Sequence, residues 1–298
     1  MRRTAVPVLI LLVIGVGGCV VSAGGAAQAR RPFDRTAPWG DYERIDVRSR
    51  NGAVDLKVGS GTDVTVSGEL YASAATHDQA SRLLEELDVT VGPADGEPRT
   101  LVIAFDPPDW GPPYSAGATI RVVVPQPCPA VVRTRNGQVR AVGLVGPARL
   151  ETRNGAVVAE DINGDLHAET ANGAINARTI TGGCELQTSN GDIRAHDVRG
   201  QVLAETSNGR IDAKISPPPD GRVILRSSNG PIDATLPGAM TAELRLRTSN
   251  GRAQAHFGQT PVEIRRQSRT QVEAITNGGG PGRVEATTSN GAVTVRLD

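Results

Sequence analysis

Apolar and polar residues alternate in the second half of the chain, in short runs placed on either side of a recurring Asn-Gly pair. An aliphatic residue or alanine lies four residues before each of these asparagines and another lies three residues after it. The residue five positions after the asparagine is usually small. Around Asn154 the pattern places Leu150, Val157 and Ala159 together, with polar residues between them. Because successive side chains of a strand point to opposite faces, this spacing predicts a strand, a bend and a second strand.

The Asn-Gly pairs return at a nearly constant interval. The first five are 18 residues apart, the next two follow at 21 and the last comes 40 residues later: Asn136, Asn154, Asn172, Asn190, Asn208, Asn229, Asn250 and Asn290. Threonine or serine lies two residues before each one, and a degenerate copy at 268–270 fills the long interval. A fixed period near 20 in a strand-like sequence is typical of a solenoid, whose turns bury their apolar faces against one another.

Recurrence in the same phase predicts that equivalent segments stack in parallel, about 4.8 Å apart, with the corner asparagines hydrogen-bonded in a ladder. Asn and Gly both tolerate positive φ, which suits a tight corner. We predict an all-β, single-chain, right-handed parallel β-solenoid with 18–21 residues per turn, the handedness following the general rule for parallel crossovers. The alternative is a two-layer antiparallel sheet in which each Asn-Gly forms a type I′ hairpin turn.

The regular repeat occupies residues 131–298, and residues 41–130 form a less regular β region. The repeat template occurs once in that region, around Asn51. One helix is predicted at about 77–87, where Thr76 and Gln79 match a capping box ahead of helically spaced apolar residues. The final turn, 291–298, has no capping helix after it, which predicts an exposed strand edge that meets a partner or another copy of the chain.

The N-terminal residues predict export. Two arginines precede an apolar run that ends at Cys19, and the segment resembles a bacterial lipoprotein signal in which residues 1–18 are removed and Cys19 carries the lipid. An uncleaved membrane span is the alternative, but 17 uncharged residues with a proline and three glycines are at the short limit for crossing a bilayer. Val20 and Val21 resemble the residues of lipoproteins sorted onward to an outer membrane. For residues 19–40 we predict a flexible tether.

Composition restricts the partners and cofactors. The 32 basic and 32 acidic residues give no net charge and form no basic stripe, which argues against nucleic acid. The four histidines are scattered and repeated calcium-binding loops are missing, so we expect no metal and no cofactor. Cys128 and Cys184 should lie about three turns apart, beyond the reach of a disulfide.

One surface row is the best catalytic candidate in the sequence. Arg194, Asp212 and Asp233 share a phase on successive turns, so neighbouring carboxylates should lie within about 5 Å, as a polysaccharide-active β-helix enzyme requires. The same row is equally consistent with surface ion pairs of small energetic value. Because no aromatic platform flanks it, we expect no enzyme activity. Trp110 and Tyr114, in a proline-rich loop, offer either a sugar-stacking surface or loop packing.

The repeated Thr/Ser-x-Asn-Gly-x-Val/Ile motif, with strands ending in Val124-Pro125, resembles the DUF4097 family of putative bacterial adhesins, from about residue 45 to 298. The resemblance implies a β-solenoid at the cell envelope and brings no catalytic motif. Together with Cys19 it implies a lipid-anchored binding, adhesion or scaffold module at the outer membrane or cell surface. Its partners would be the membrane, an envelope glycan or protein, or a second copy through the solenoid end. The alternatives are a polysaccharide-active enzyme and a self-assembling structural protein.

Overall fold

Two β-sheets, of 12 and 13 strands, face each other across a narrow apolar core. The structure is a computed structural model and describes residues 26–298, so the predicted signal peptide and Cys19 lie outside the described residues. The elements are β1 (Ala27–Pro38), β2 (Arg44–Asn51), β3 (Val54–Val58), β4 (Asp63–Ala74), α1 (His77–Glu85), β5 (Thr90–Ala94), β6 (Glu97–Phe105), β7 (Ser115–Val124), β8 (Ala130–Asn136), β9 (Val139–Val142), β10 (Ala148–Thr152), β11 (Val157–Ile162), β12 (Leu166–Thr170), β13 (Ile175–Ile180), β14 (Cys184–Thr188), β15 (Ile193–Val198), β16 (Val202–Thr206), β17 (Ile211–Ile215), β18 (Arg222–Ser227), β19 (Ile232–Leu236), β20 (Ala242–Thr248), β21 (Ala253–His256), β22 (Val262–Gln267), β23 (Gln271–Thr276), β24 (Gly282–Thr288) and β25 (Val293–Leu297).

The strands divide between the two sheets in a fixed spatial order. We call the 12-stranded sheet, with order β1-β4-β7-β3-β9-β11-β13-β15-β17-β19-β25-β21, sheet A. We call the 13-stranded sheet, with order β22-β23-β20-β24-β18-β16-β14-β12-β10-β8-β2-β6-β5, sheet B.

Six turns, from β8–β9 to β18–β19, stack in sequence order. Each gives its first strand to sheet B and its second to sheet A, with the Asn-Gly pair at the corner between them. Neighbouring strands are parallel and in register, so that Leu150 lies beside Ala168, which lies beside Leu186. The predicted parallel β-solenoid is therefore confirmed. The hairpin alternative is wrong because the strands flanking each Asn-Gly belong to different sheets.

Sequence order fails at both ends of the stack. The last turn, β24–β25, lies between turns β18–β19 and β20–β21 and pairs with both. At the other end, β2–β3 lies between β6–β7 and β8–β9. The expected open edge at 291–298 is therefore wrong, because inside the stack that turn is covered on both sides. Within residues 26–298 the sheet edges are β1 and β21 in sheet A and β5 and β22 in sheet B.

Antiparallel strands complete the ends of the stack. β4 pairs with β7 and β1 pairs with β4 at one end, and β23 pairs with β20 and β22 at the other. The predicted degenerate turn at 268–270 is therefore wrong. It is the bend of the β22–β23 hairpin, where the backbone N–H of Ser268 donates to the carbonyl of Gln271. This hairpin carries the chain outward before it returns to fill the inner position.

The predicted tether is ordered over much of its length, since residues 27–38 form β1. Phe33 is buried opposite Gly68, and a Cβ on that glycine would lie 3.0 Å from the Phe33 ring. Trp39 is buried directly after the strand. These two aromatic residues supply buried apolar surface in a segment otherwise rich in Ala, Gly and Arg, and burying the Phe33 side chain is worth about 1.5–3 kcal/mol.

The predicted helix forms over His77–Glu85, two residues shorter than expected. The Thr76 side chain accepts a hydrogen bond from the backbone N–H of Gln79, as the capping pattern requires. Ala80 and Leu84 are buried where the helix packs against β1 and β4. This nine-residue helix is the only one in the described part of the chain, and it is too short to cross a membrane.

Candidate functional site

The corner asparagines form one continuous ladder along the solenoid. From Asn136 onward, each side-chain amide donates to the side-chain oxygen of the asparagine before it in the ladder, at 2.6–2.8 Å. The order of the asparagines in the ladder is the order of the turns in the stack, which differs from their order in the sequence. It is Asn51, Asn136, Asn154, Asn172, Asn190, Asn208, Asn229, Asn290 and Asn250. Because the donors and acceptors are used along the row, the ladder fixes the register of the turns.

A second row, of buried hydroxyl groups, runs beside the asparagines. At eight corners, the threonine or serine two residues before the asparagine donates to the carbonyl of a corner glycine on the neighbouring turn, at 2.8–3.3 Å. The donors are Thr134, Thr152, Thr170, Thr188, Thr206, Ser227, Thr288 and Thr248. This contact explains why only small hydroxyl residues occupy the position.

The corner glycines are needed for close approach between turns. A Cβ built on Gly173 would lie 1.8 Å from the carbonyl oxygen of Gly155. Positive φ, which we expected to explain the Asn-Gly pair, occurs at only two of the corner glycines, Gly52 and Gly137. The left-handed positions lie instead at the opposite corner, at residues that include Asp161 and Thr179.

The row of Arg194, Asp212 and Asp233 lies on the outer face of sheet A, with the three residues side by side on successive turns. Arg194 contacts Asp192 at 3.6 Å, and a carboxylate oxygen of Asp212 lies 3.4 Å from Nε2 of His196. These side chains are partly exposed, and surface pairs of this kind typically contribute less than about 1 kcal/mol.

Three grooves lie on the outer face of sheet B. The largest has a volume of about 1150 Å³ and receives side chains from β8, β10, β12, β14, β16 and β18 in turn. Its lining combines apolar residues with charged ones, including Val131, Leu203 and Ile224 beside Arg149, Arg222 and Glu185. Two smaller grooves, of about 480 and 700 Å³, continue along the same face and share Glu169. This grooved surface is the candidate functional site, and we call it the sheet-B face.

Sequence reasoning missed a cluster of ionisable residues on the sheet-B face. Glu151, His167 and Glu169 each bring one metal-ligating atom within 4.8 Å of the others. Nδ1 of His167 lies 3.1 Å from a carboxylate oxygen of Glu185. The repeat period could have predicted this cluster, because Glu151 and Glu169 are one 18-residue turn apart, as are His167 and Glu185.

Both described cysteines are free, as predicted, and both are buried. Burial raises the pKa of the Cys128 thiol to about 12. Burial, with a smaller effect of Asp165, raises the pKa of the Cys184 thiol to about 12 as well. Since the thiolate is the nucleophile and metal ligand, these thiols are inert near neutral pH.

The aromatic residues of the proline-rich loop do not form a joint platform. Trp110 packs against the core, whereas Tyr114 is exposed. The ring contact that the structure records within residues 26–298 joins Trp39 and Tyr42 instead.

No family model and no curated protein matches the chain, so the resemblance to the DUF4097 family stays a prediction. Several solved structures are similar over most of their length. A putative adhesin from Bacteroides fragilis is 13% identical, with 90% of this chain and 97% of that chain covered and a TM-score of 0.41. A putative cell adhesion protein from Clostridium sporogenes is 9% identical, with 91% and 100% covered and a TM-score of 0.27. A putative lipid binding protein from Parabacteroides distasonis is 12% identical, with 89% and 96% covered and a TM-score of 0.34. Such distant similarity leaves the ligand of this chain to be inferred from its own surface.

Proposed function

We propose that the protein is an exported, lipid-anchored module of the cell envelope that binds an extended partner without catalysing a reaction, in adhesion or as a scaffold. The observation that carries the proposal is the sheet-B face, where one groove runs across six successive turns. Solenoids commonly use such extended surfaces for binding, because each turn adds a similar row of side chains. An envelope glycan or an extended peptide has the matching repeated form.

The lining of this groove suits a partner with both apolar and charged groups. Leu203 is half-buried and Ile224 is buried, although both point away from the core toward the groove. Arg222 is exposed nearby. A few convergent polar groups beside apolar surface are the usual composition of a binding site.

The proposed anchor would hold the solenoid near the membrane. Because β1 begins at Ala27, only a few residues separate Cys19 from the fold, and at up to 3.6 Å per residue they span roughly 30 Å at most. Cells grown with labelled palmitate test this. Cys19→Ser should abolish labelling, whereas Cys128→Ser should retain it, and label that persists in Cys19→Ser would contradict the anchor.

The binding surface is tested by retention of the purified full chain on cell-envelope polysaccharide and protein fractions. We expect Leu203→Glu with Arg222→Glu to lose most of the retention. Val158→Glu is the matched control, because Val158 is an outward-facing, half-buried residue on sheet A. Equal loss in the control would exclude the sheet-B face. New reducing ends that disappear in Asp212→Ala would instead favour the polysaccharide-active enzyme.

A second candidate function, self-assembly through a solenoid end, is favoured by β22. All six residues of this edge strand are exposed, including Val262 and Ile264. An unpaired edge with exposed apolar side chains is a template for pairing with another chain. This proposal transfers the expected assembly site from 291–298 to β22, and the mass in solution tests it.

A further inference from the structure

We propose that Glu151, His167 and Glu169 form a binding site for a divalent transition-metal ion of the Zn²⁺ class, with Glu185 orienting the histidine. The site goes beyond the proposed binding function. It lies on the sheet-B face, where His167 and Glu185 line the largest groove and Glu151 and Glu169 line a smaller groove beside it.

The parallel register brings the three ligands together. His167 and Glu169 are two residues apart on β12 and therefore point to the same face. Glu151 lies directly beside Glu169 on β10, the preceding turn. One atom from each residue lies within 4.8 Å of the other two.

Glu185 gives the imidazole the orientation of a metal ligand. It lies beside His167 on β14, and its carboxylate oxygen is 3.1 Å from Nδ1. Donation from Nδ1 to this carboxylate leaves the lone pair on Nε2. Nε2 is buried without a hydrogen-bond partner, 3.7 Å from a carboxylate oxygen of Glu169. A carboxylate that accepts from one ring nitrogen while the other faces ligands is the usual second shell of a metal-binding histidine.

A second histidine shows that an unpartnered ring nitrogen alone does not make such a site. Nε2 of His196, on sheet A, is also buried without a hydrogen-bond partner and lies 3.4 Å from Asp212. His196 has no second carboxylate grouped with it within ligand distance in the described residues. The sheet-B cluster differs because it adds both a second carboxylate ligand and an orienting partner at Nδ1.

The donor set selects the class of ion. One imidazole nitrogen and two carboxylate oxygens, with a fourth position open, match Zn²⁺, whereas Mg²⁺ requires near-octahedral oxygen ligands. Binding at about 2 Å from each atom needs the ligands to approach to roughly 3.3 Å from one another. Side-chain rotation supplies this movement. Glu151 accepts hydrogen bonds from Arg133 and Arg149. A bound ion would share the Glu151 carboxylate oxygens with these two arginines.

Titration calorimetry of the metal-free full chain in detergent with ZnCl₂ tests the site. We expect one saturable site that disappears in His167→Ala and weakens about 10–100-fold in Glu185→Gln, the range for loss of a second-shell carboxylate. The conservative Glu169→Gln should also weaken binding, and acid should weaken it because protons compete for Nε2. MgCl₂ should give no saturable heat.

The matched control is His196→Ala, which removes a histidine of similar exposure from the opposite sheet and should leave the affinity unchanged. Circular dichroism would verify that each variant is folded. The proposal is overturned if wild type shows no saturable zinc binding, if His167→Ala binds as tightly as wild type, or if His196→Ala loses binding to the same extent.

Discussion

Three features of each Asn-Gly corner hold neighbouring turns together: an amide ladder, a buried hydroxyl and a glycine without a side chain. At Thr170, which is 2% exposed, the hydroxyl donates to the carbonyl of Gly155 at 2.9 Å. The carbonyl of Gly155 is partly buried, and it keeps its desolvation cost when it loses this donor. The hydroxyl row therefore contributes to stability and not only to geometry.

Replacement of a single hydroxyl tests this row. We expect Thr170→Val to lower the free energy of unfolding by about 1–3 kcal/mol, because the Gly155 carbonyl loses its donor at nearly constant side-chain volume. The measurement is denaturant unfolding followed by circular dichroism. Thr294→Val, the same change at a half-buried outward position of β25, should alter stability by less than about 0.5 kcal/mol. Equal effects at both positions would contradict the role of the buried hydrogen bond.

A glycine pair tests the close approach of turns. Gly173→Ala should cost more than about 4 kcal/mol or prevent folding, because the new Cβ meets backbone on a turn that is held from both sides. Gly92 has no atom within 4 Å of an added Cβ, so Gly92→Ala should be nearly neutral. Thermal melts of the two variants give the comparison. A well-folded, stable Gly173→Ala protein would show that the turns can separate without penalty.

At the scale of elements, the inserted final turn is the feature that most affects stability. Val284, Ala286, Val293 and Val295 are fully buried between the turns on either side. In a stack that followed sequence order, the last turn would be an end turn and its loss would shorten the molecule. Here its loss would leave two strand edges and two apolar faces uncovered inside the molecule.

Truncation after Asn277 tests the inserted turn. We expect hydrogen exchange in β20 to β23 to lose protection, while β8 to β15 keep theirs, since stacked turns interact mainly with their neighbours. A synthetic peptide of residues 282–298, added in trans, should restore protection. Unchanged protection of β20 to β23 in the truncated chain would place the final turn at the end of the stack.

At the scale of the molecule, the two sheets differ in their outer faces and in their length. Sheet B carries the grooves and the His167 cluster on its outer face and extends one hairpin beyond sheet A, through β22 and β23. The proposed anchor is at the opposite end, where β1 and α1 complete the stack. An anchored solenoid would therefore present β22 away from the point where the chain meets the membrane.

Self-association through the edge strand β22 would be a property of the whole molecule. Soluble protein comprising residues 26–298 should show a mass that rises with concentration in light scattering, because β22 offers unpaired backbone and two exposed apolar side chains. Ile264→Lys should shift it to the monomer. Val145→Lys is the control, since Val145 is 42% exposed, similar to Ile264 at 48%, but lies at a corner of the stack. A monomer at high concentration would remove this candidate function.

The sequence by itself determined the repeating unit. Residues in the same phase, such as Leu150, Ala168 and Leu186, are all apolar because each faces the core beside its equivalents on adjacent turns. The period therefore fixes strand type, parallel register and the asparagine ladder. The helix was also predictable, because its capping pattern is local to Thr76 and Gln79.

Only the tertiary structure decided the order of turns, the pairing of β1 and the composition of the sheet-B face. Turns built on one template can stack on any other turn, so the repeat does not say that Asn290 lies between Asn229 and Asn250. Phe33 is part of the core because it lies opposite Gly68, which is 35 residues away in the sequence. Likewise Glu151, His167 and Glu169 become neighbours through the register of two sheet-B strands. Local patterns encode how each turn forms, whereas contacts between distant segments decide which turns meet.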